Sequence, residues 1–155
     1  HGAIWLMLAY LKQGMYGKAL TLLNSLNPVQ RLSDEKLNEL YKGEPYVLPA
    51  DIYSKGKLAG HMGWSWYTGS ASWYYVTVLY MFGIVLSGDN LTIKPHIPDE
   101  LSGSKIYFTH AGANCEIEYR KSDSFCLAIN GTRYVGIDSI KLEQGKCYKI
   151  DVYFP

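Results

Sequence analysis

The spacing of the apolar residues changes at Gly88, and this change constrains the fold more than any other feature of the 155-residue sequence. Before Gly88, apolar residues recur at intervals of three and four, which places them on one face of an α-helix. After Gly88 they alternate with polar residues, as in strands that bury one face. The sequence therefore predicts an α+β fold, with helices in residues 1–88 and an antiparallel β module in residues 89–155.

The helical half is predicted to begin with a helical hairpin. Residues 3–11 are apolar nearly all round the helix, which is typical of a helix buried on most sides. Two glycines interrupt the pattern at 14–17, and a second helix over 18–26 ends at Asn27-Pro28.

Three further segments follow in the helical half. A short polar helix is predicted over 31–42, and a long irregular loop over 43–65; long loops in compact domains often carry function. The next helix is predicted over 65–86, entered through the turn at 67–70 and stopped at Gly88.

Short strands separated by turn residues are predicted in the second half. The five strands cover 91–93, 106–108, 115–119, 125–129 and 149–154. Asn130-Gly131 is a strong hairpin signal, and Gln144-Gly145 is a weaker one. Turns at this frequency favour a β-sandwich.

Composition excludes several classes of partner. The formal net charge of +1 gives no general attraction to nucleic acid or anionic lipid, and no apolar run is long enough to span a bilayer. The three cysteines have no CxxC spacing and no histidine at ligand intervals, which argues against a metal site. Their free thiols favour a cytoplasmic location.

The first residue is His1 rather than Met, which indicates a piece of a longer chain.

The run from Gly63 to Trp73 contains most of the candidate ligand-binding groups. Thr68-Gly69-Ser70 at a helix start offers unpaired backbone N–H groups, which suit an anion or serve as an ordinary N-cap. His1 would either donate to the same anion or be a terminal residue. Trp64 and Trp66 would form a sugar platform or anchor the segment to the core.

Two loop carboxylates are less informative. Glu44 and Asp51 flank the long loop, and on spacing alone they fit surface positions better than an acid and base pair.

The run Gly63-Trp64-Ser65-Trp66-Tyr67-Thr68-Gly69-Ser70-Ala71-Ser72-Trp73 resembles the signature of the family 94 glycoside phosphorylases. The similarity extends back through 44–47, 50–53 and 26–28 to His1-Gly2-Ala3-Ile4-Trp5, and forward through 88–98, covering the chain to about Glu118. The stretch Ala50-Asp51-Ile52-Tyr53 is more similar to the β-1,2-glucan branch of the family.

The resemblance implies a fold and a reaction. It implies the last helices of an (α/α)₆ barrel followed by a C-terminal antiparallel β-sandwich of jelly-roll type. The implied reaction is inverting phosphorolysis of a β-linked disaccharide or oligosaccharide, with inorganic phosphate as co-substrate and no cofactor. His1, Thr68 and Gly69 would bind phosphate, and Glu44, Tyr46 and Trp66 are candidates for substrate contact.

Two parts of the family pattern are missing from this sequence. The general-acid Asp and the Lys-Glu-Asn-Gly-Gly stretch belong to an upstream segment, so no catalytic residue is assigned here. We therefore expect a C-terminal fragment that is inactive alone and that pairs with a missing N-terminal part or with itself through the apolar first helix.

The alternatives are a structural remnant and a stand-alone carbohydrate-binding module. In the binding module, Tyr107, Tyr119 and Tyr153 would form an exposed aromatic row on the strands.

Overall fold

The computed structural model describes residues 1–66 and 68–155, and it confirms the α+β class. Chain contacts divide it into two compact units, His1–Val78 and Leu79–Pro155. The described residues form five α-helices: α1 Gly2–Lys12, α2 Tyr16–Leu26, α3 Pro28–Leu32, α4 Glu35–Tyr41 and α5 Thr68–Met81. None of the described helices is long and apolar enough to cross a membrane.

The predicted hairpin is formed by α1 and α2, which pack against each other. Its first helix is less enclosed than predicted. Ile4, Met7 and Leu11 are buried, whereas Trp5 and Leu6 are 53% and 46% exposed. The buried residues of α1 recur at intervals of three and four positions and form a single stripe. The prediction that this helix is buried on most sides is therefore wrong for the first unit by itself.

The predicted polar helix is two short helices, α3 and α4. The Asn27 side chain accepts a hydrogen bond from the Val29 amide and caps α3, so the Asn27-Pro28 pair both ends one helix and begins the next. Asp34 caps α4 in the same way through the Leu37 amide. At the end of α4, Tyr41 is buried in a small core with Val47 and Met62.

The long loop is irregular as predicted, but backbone pairing closes its base. Ile52 and Met62 form an isolated antiparallel bridge. On either side of the bridge, the amide of Ala50 donates to the carbonyl of Trp64 at 2.8 Å and that of Tyr53 donates to His61 at 3.0 Å. This stem holds residues 50–53 in a fixed position against 61–64.

The helix predicted to end at Gly88 stops at Met81 instead, and Ile84–Ser87 form strand β1. Gly83 has a φ of +69°, and a Cβ there would lie 1.9 Å from the carbonyl oxygen of Lys94. The chain therefore leaves the helix at a position that only glycine can occupy. The apolar spacing over 71–86 also predicts one apolar face that includes Tyr75, but Tyr75 is 63% exposed, while Ser70, Thr77 and Met81 are buried.

Two sheets make up the second unit. The smaller contains β1, β2 Asn90–Ile93 and β7 Ser139–Lys141 in the order β1-β2-β7. The larger has the order β3-β4-β8-β5-β6, formed by β3 Lys105–His110, β4 Ala113–Lys121, β5 Cys126–Ile129, β6 Thr132–Tyr134 and β8 Cys147–Phe154. All five predicted strands are present, and β1, β6 and β7 were not predicted.

The larger sheet is mixed, so the prediction of a purely antiparallel module is wrong. Strands β4 and β8 run parallel. The long connection over residues 122–146 allows β8 to enter the sheet in the same direction as β4.

The two predicted hairpins have different outcomes. Asn130 and Gly131, with φ of +49° and +85°, form the two-residue turn between β5 and β6. The prediction of a hairpin at Gln144-Gly145 is wrong, because the strands on either side of this pair, β7 and β8, belong to different sheets.

Candidate functional site

A cavity of about 340 Å³ lies in the first unit, between the start of α1, the segment 48–52 and the first turn of α5. Its volume is within the range of small-molecule sites, roughly 300–1,000 Å³. His1, Asp51 and Ser70 are among the residues that line it. Both helices begin at this cavity, and the positive ends of their dipoles favour an anionic ligand.

Ser70 is the polar group most deeply placed in this cavity. Its residue is 1% exposed, and its hydroxyl has no hydrogen-bond partner among the described residues. A buried hydroxyl without a partner costs about 1–3 kcal/mol. Ser70 is therefore a buried residue of the cavity wall whose hydroxyl is unsatisfied among the described residues.

His1 is positioned by aromatic contacts. Its ring meets Trp5 edge-on, with centroids 4.8 Å apart, and Trp5 meets Trp73 edge-on at 6.1 Å. Trp73 belongs to α5, so this series of rings joins the start of α1 to α5. His1 and Ser70, in the first turn of α5, line the same cavity.

Thr68 and Gly69 are the first two residues of α5, and Gly69 is half-buried. The predicted role of the Thr68 hydroxyl lies outside the described residues, as does Tyr67. The predicted anion-binding turn includes the Ser70 hydroxyl, and Ser70 is one of the residues that line the cavity.

Of the three residues predicted to contact substrate, the structure brings two together. The rings of Tyr46 and Trp66 have centroids 5.8 Å apart and are inclined at 58°. Both are exposed, at 72% and 63%. They do not line the cavity, and they form an aromatic pair at the surface of the same unit.

Glu44 is half-buried, and one of its carboxylate oxygens is buried without a hydrogen-bond partner among the described residues. Burial raises the pKa of the Tyr41 hydroxyl, the Arg31 guanidinium opposes this rise, and the Glu44 carboxylate adds to it. Glu44 therefore lies within electrostatic range of the small core around Tyr41.

Asp51 is closely packed against Gly63. A Cβ at Gly63 would lie 2.1 Å from the Asp51 carboxylate oxygen Oδ1. Glycine at this position thus lets the carboxylate stand against the backbone of the signature run. Asp51 lines the cavity and is also exposed to solvent, so it is a surface carboxylate, as predicted, that borders the cavity.

The aromatic row predicted for a binding module is not formed. Tyr107 is 64% exposed, but Tyr119 is buried and its hydroxyl donates to the Phe82 carbonyl at 2.7 Å. The Tyr153 ring is half-buried and lies 4.9 Å from the Arg133 guanidinium carbon. The alternation of β4 explains the error, since residues 113, 115, 117 and 119 all face the core.

Comparison with known proteins gives one family. The sequence model of the Glycosyl hydrolase 94 superfamily, catalytic domain, matches residues 1–83. The cyclic beta-(1,2)-glucan synthase NdvB of Rhizobium meliloti (strain 1021) is 44% identical over 104 residues, which is 66% of this chain and 4% of that protein.

Two N,N'-diacetylchitobiose phosphorylases are also similar. The protein from Vibrio furnissii is 29% identical over 120 residues, 76% of this chain and 14% of its own length. The protein from Vibrio proteolyticus is 25% identical over 126 residues, 79% of this chain and 15% of its own length. The chain thus spans a small part of each relative.

Proposed function

The chain belongs to the glycosyl hydrolase 94 superfamily, and from this membership we propose that it provides the phosphate-binding part of an inverting glycoside phosphorylase site. The observation that carries the proposal is the cavity in which the buried Ser70 hydroxyl and the first turn of α5 lie with His1.

Phosphorolysis places two demands on such a site. Phosphate replaces the glycosidic oxygen on the opposite face of the anomeric carbon, while a carboxylic acid protonates the departing oxygen. Phosphate is already anionic, so the protein has to hold it in line and stabilise its charge. In our proposal the backbone N–H groups of Thr68 and Gly69, the hydroxyls of Thr68 and Ser70, and His1 hold the phosphate.

The acid is not assigned to any residue of this sequence. The resemblance places the acid Asp in one upstream segment and a Lys-Glu-Asn-Gly-Gly stretch before the histidine, and the 155 residues do not contain that stretch. We propose that the chain turns over sugar only together with a segment that supplies this acid. The division at residue 88, into the last helices of an (α/α)₆ barrel and a jelly-roll sandwich, also stays a prediction.

The substrate class follows from the relatives' names and from the aromatic pair. The 44% identity to a cyclic beta-(1,2)-glucan synthase exceeds the identities to the chitobiose phosphorylases. We propose a β-1,2-linked glucoside as substrate, with Tyr46 and Trp66 in contact with sugar rings and Glu44 accepting from hydroxyls. The buried free thiols of Cys115 and Cys126 support a reducing, cytoplasmic location.

Phosphate affinity tests the proposed site. For the isolated chain we expect a dissociation constant of about 1 mM or weaker, because an exposed helix dipole contributes only about 0.3–1 kcal/mol. Thr68→Val and Ser70→Ala each remove a hydroxyl and are expected to weaken binding roughly tenfold. Phosphorus NMR line broadening, recorded over a phosphate titration, measures the three affinities.

The matched control is Thr77→Val, in the same helix. Thr77 is buried, and its hydroxyl has no hydrogen-bond partner among the described residues, so its loss removes no described contact. This variant is expected to bind phosphate as the unchanged chain does. Equal affinity in all four proteins would remove the assignment and return Thr68 to the role of a helix cap.

A further inference from the structure

A row of polar side chains crosses the outer face of the larger sheet, in the second unit. Tyr107 on β3 is the register partner of Glu116 on β4, and Glu116 is the partner of Lys149 on β8. The Lys149 amide donates to the Asn130 Oδ1 at 2.8 Å, which places Asn130 at the end of the row. Register partners on neighbouring strands point to the same face, so these side chains stand side by side.

A neighbouring part of the same face shows how charges on it normally pair. Glu118 takes ion pairs from Lys105 at 3.4 Å and from Arg120 at 2.9 Å, and Arg120 also reaches Asp151 at 3.0 Å. In the Tyr107 row, by contrast, the side chains of Glu116 and Lys149 make no ion pair or hydrogen bond with any described residue. A carboxylate and an ammonium group are therefore available to a ligand.

A cavity of about 510 Å³ lies over this row, and we call it the Tyr107 groove. Thr109, Asn114 and Cys147 line its other side. The Thr109 hydroxyl donates to the Asn114 Oδ1 at 2.8 Å, which fixes the amide and leaves its NH₂ group to donate outward. The Tyr107 ring is 64% exposed beside these polar groups.

We propose that the Tyr107 groove binds a neutral saccharide. Sugar hydroxyls both donate and accept, which suits a carboxylate, an ammonium group and the Asn114 amide beside one aromatic ring. One negative and one positive group give no net attraction for a polyanion. The groove belongs wholly to Leu79–Pro155, so the proposal is independent of the phosphate site in the first unit.

A titration of the whole chain with the β-1,2-linked glucose disaccharide, followed by backbone amide NMR, tests the groove. We expect shifts at Tyr107, Glu116 and Lys149, with a dissociation constant of about 1–10 mM. Tyr107→Ala is expected to weaken binding at least tenfold. Tyr75→Ala, in a similarly exposed tyrosine of α5 at 63%, is the matched control and is expected to leave the groove shifts unchanged.

The second variant, Glu116→Gln, keeps the size of the side chain and removes its charge. It is expected to weaken saccharide binding in the groove about tenfold. If Tyr107→Ala perturbs the sheet, Glu116→Gln still tests whether the groove binds saccharide. The proposal is overturned if no groove amide shifts at about 100 mM disaccharide, far above the expected constant. It is equally overturned if wild type and Glu116→Gln bind with the same affinity, and shifts in residues 1–66 alone would also contradict it.

Discussion

Tyr119 is the residue whose ionisation has the clearest consequence for stability. It is buried, its hydroxyl donates to the Phe82 carbonyl at 2.7 Å, and its ring lies 5.2 Å from that of Phe82. Burial raises the pKa of Tyr119 well above its usual 10.0. The unfolded chain therefore loses this proton first as the pH rises, so the stability from Tyr119 is complete below pH 10 and is lost as the pH climbs through the raised pKa.

Replacing Tyr119 with Phe is expected to lower the free energy of unfolding by about 1–2 kcal/mol at neutral pH, because the Phe82 carbonyl loses its donor. The same variant is expected to lose stability less steeply above pH 10. Burial raises the pKa of Tyr74 to about 12, so the Tyr119→Phe variant is still expected to lose some stability as the pH rises above 10. Urea unfolding at a series of pH values measures both effects.

Tyr107→Phe is the control for the effects of Tyr119→Phe on stability at neutral and at alkaline pH, since Tyr107 is exposed on the neighbouring strand. It is expected to keep both the neutral-pH stability and the alkaline slope of the unchanged chain. A Tyr119→Phe variant with an unaltered alkaline slope would contradict the assignment to Tyr119.

At the scale of elements, the end of α5 is fixed by a contact that lies far along the chain. Phe82 and Leu86 continue an apolar spacing that fits a helix, so the sequence predicted one helix over 65–86 with Gly88 as its stop. The helix ends earlier because Gly83 approaches the backbone of Lys94, and because residues 84–87 pair with 90–93. Local spacing carries no information on that contact, whereas the Asn130-Gly131 turn was predictable because its geometry depends on two adjacent residues.

Gly83, at the α5–β1 junction, and Gly88, in the turn between β1 and β2, give a matched pair of glycine substitutions. Gly88→Ala is expected to cost about 1–2 kcal/mol, because its φ is +60° but nothing lies within 4 Å of the new Cβ. Gly83→Ala adds a clash with the Lys94 carbonyl and is expected to cost about 4 kcal/mol or more. Thermal and urea unfolding compare the two, and similar losses in both variants would contradict this account of the helix end.

At the scale of the whole molecule, each unit carries one candidate site, and the sequence predicted the two to different extents. The signature run predicted the start of α5 and, through the resemblance, the phosphate ligands His1, Thr68 and Gly69. That Asp51 and Ser70 line one cavity depends on segments separated along the chain, so spacing alone did not reveal it. The Tyr107 groove depends on the parallel register of β4 with β8, which the expected antiparallel order concealed.

The most direct test of the central claim is a map of backbone amide shifts on the whole 155-residue chain during a phosphate titration. The account predicts that the largest shifts fall at Thr68, Gly69 and Ser70 and at the start of α1, and that the Tyr107 groove stays unchanged. Shifts confined to Leu79–Pro155, or no shift in the first turn of α5, would contradict a phosphate site in this chain.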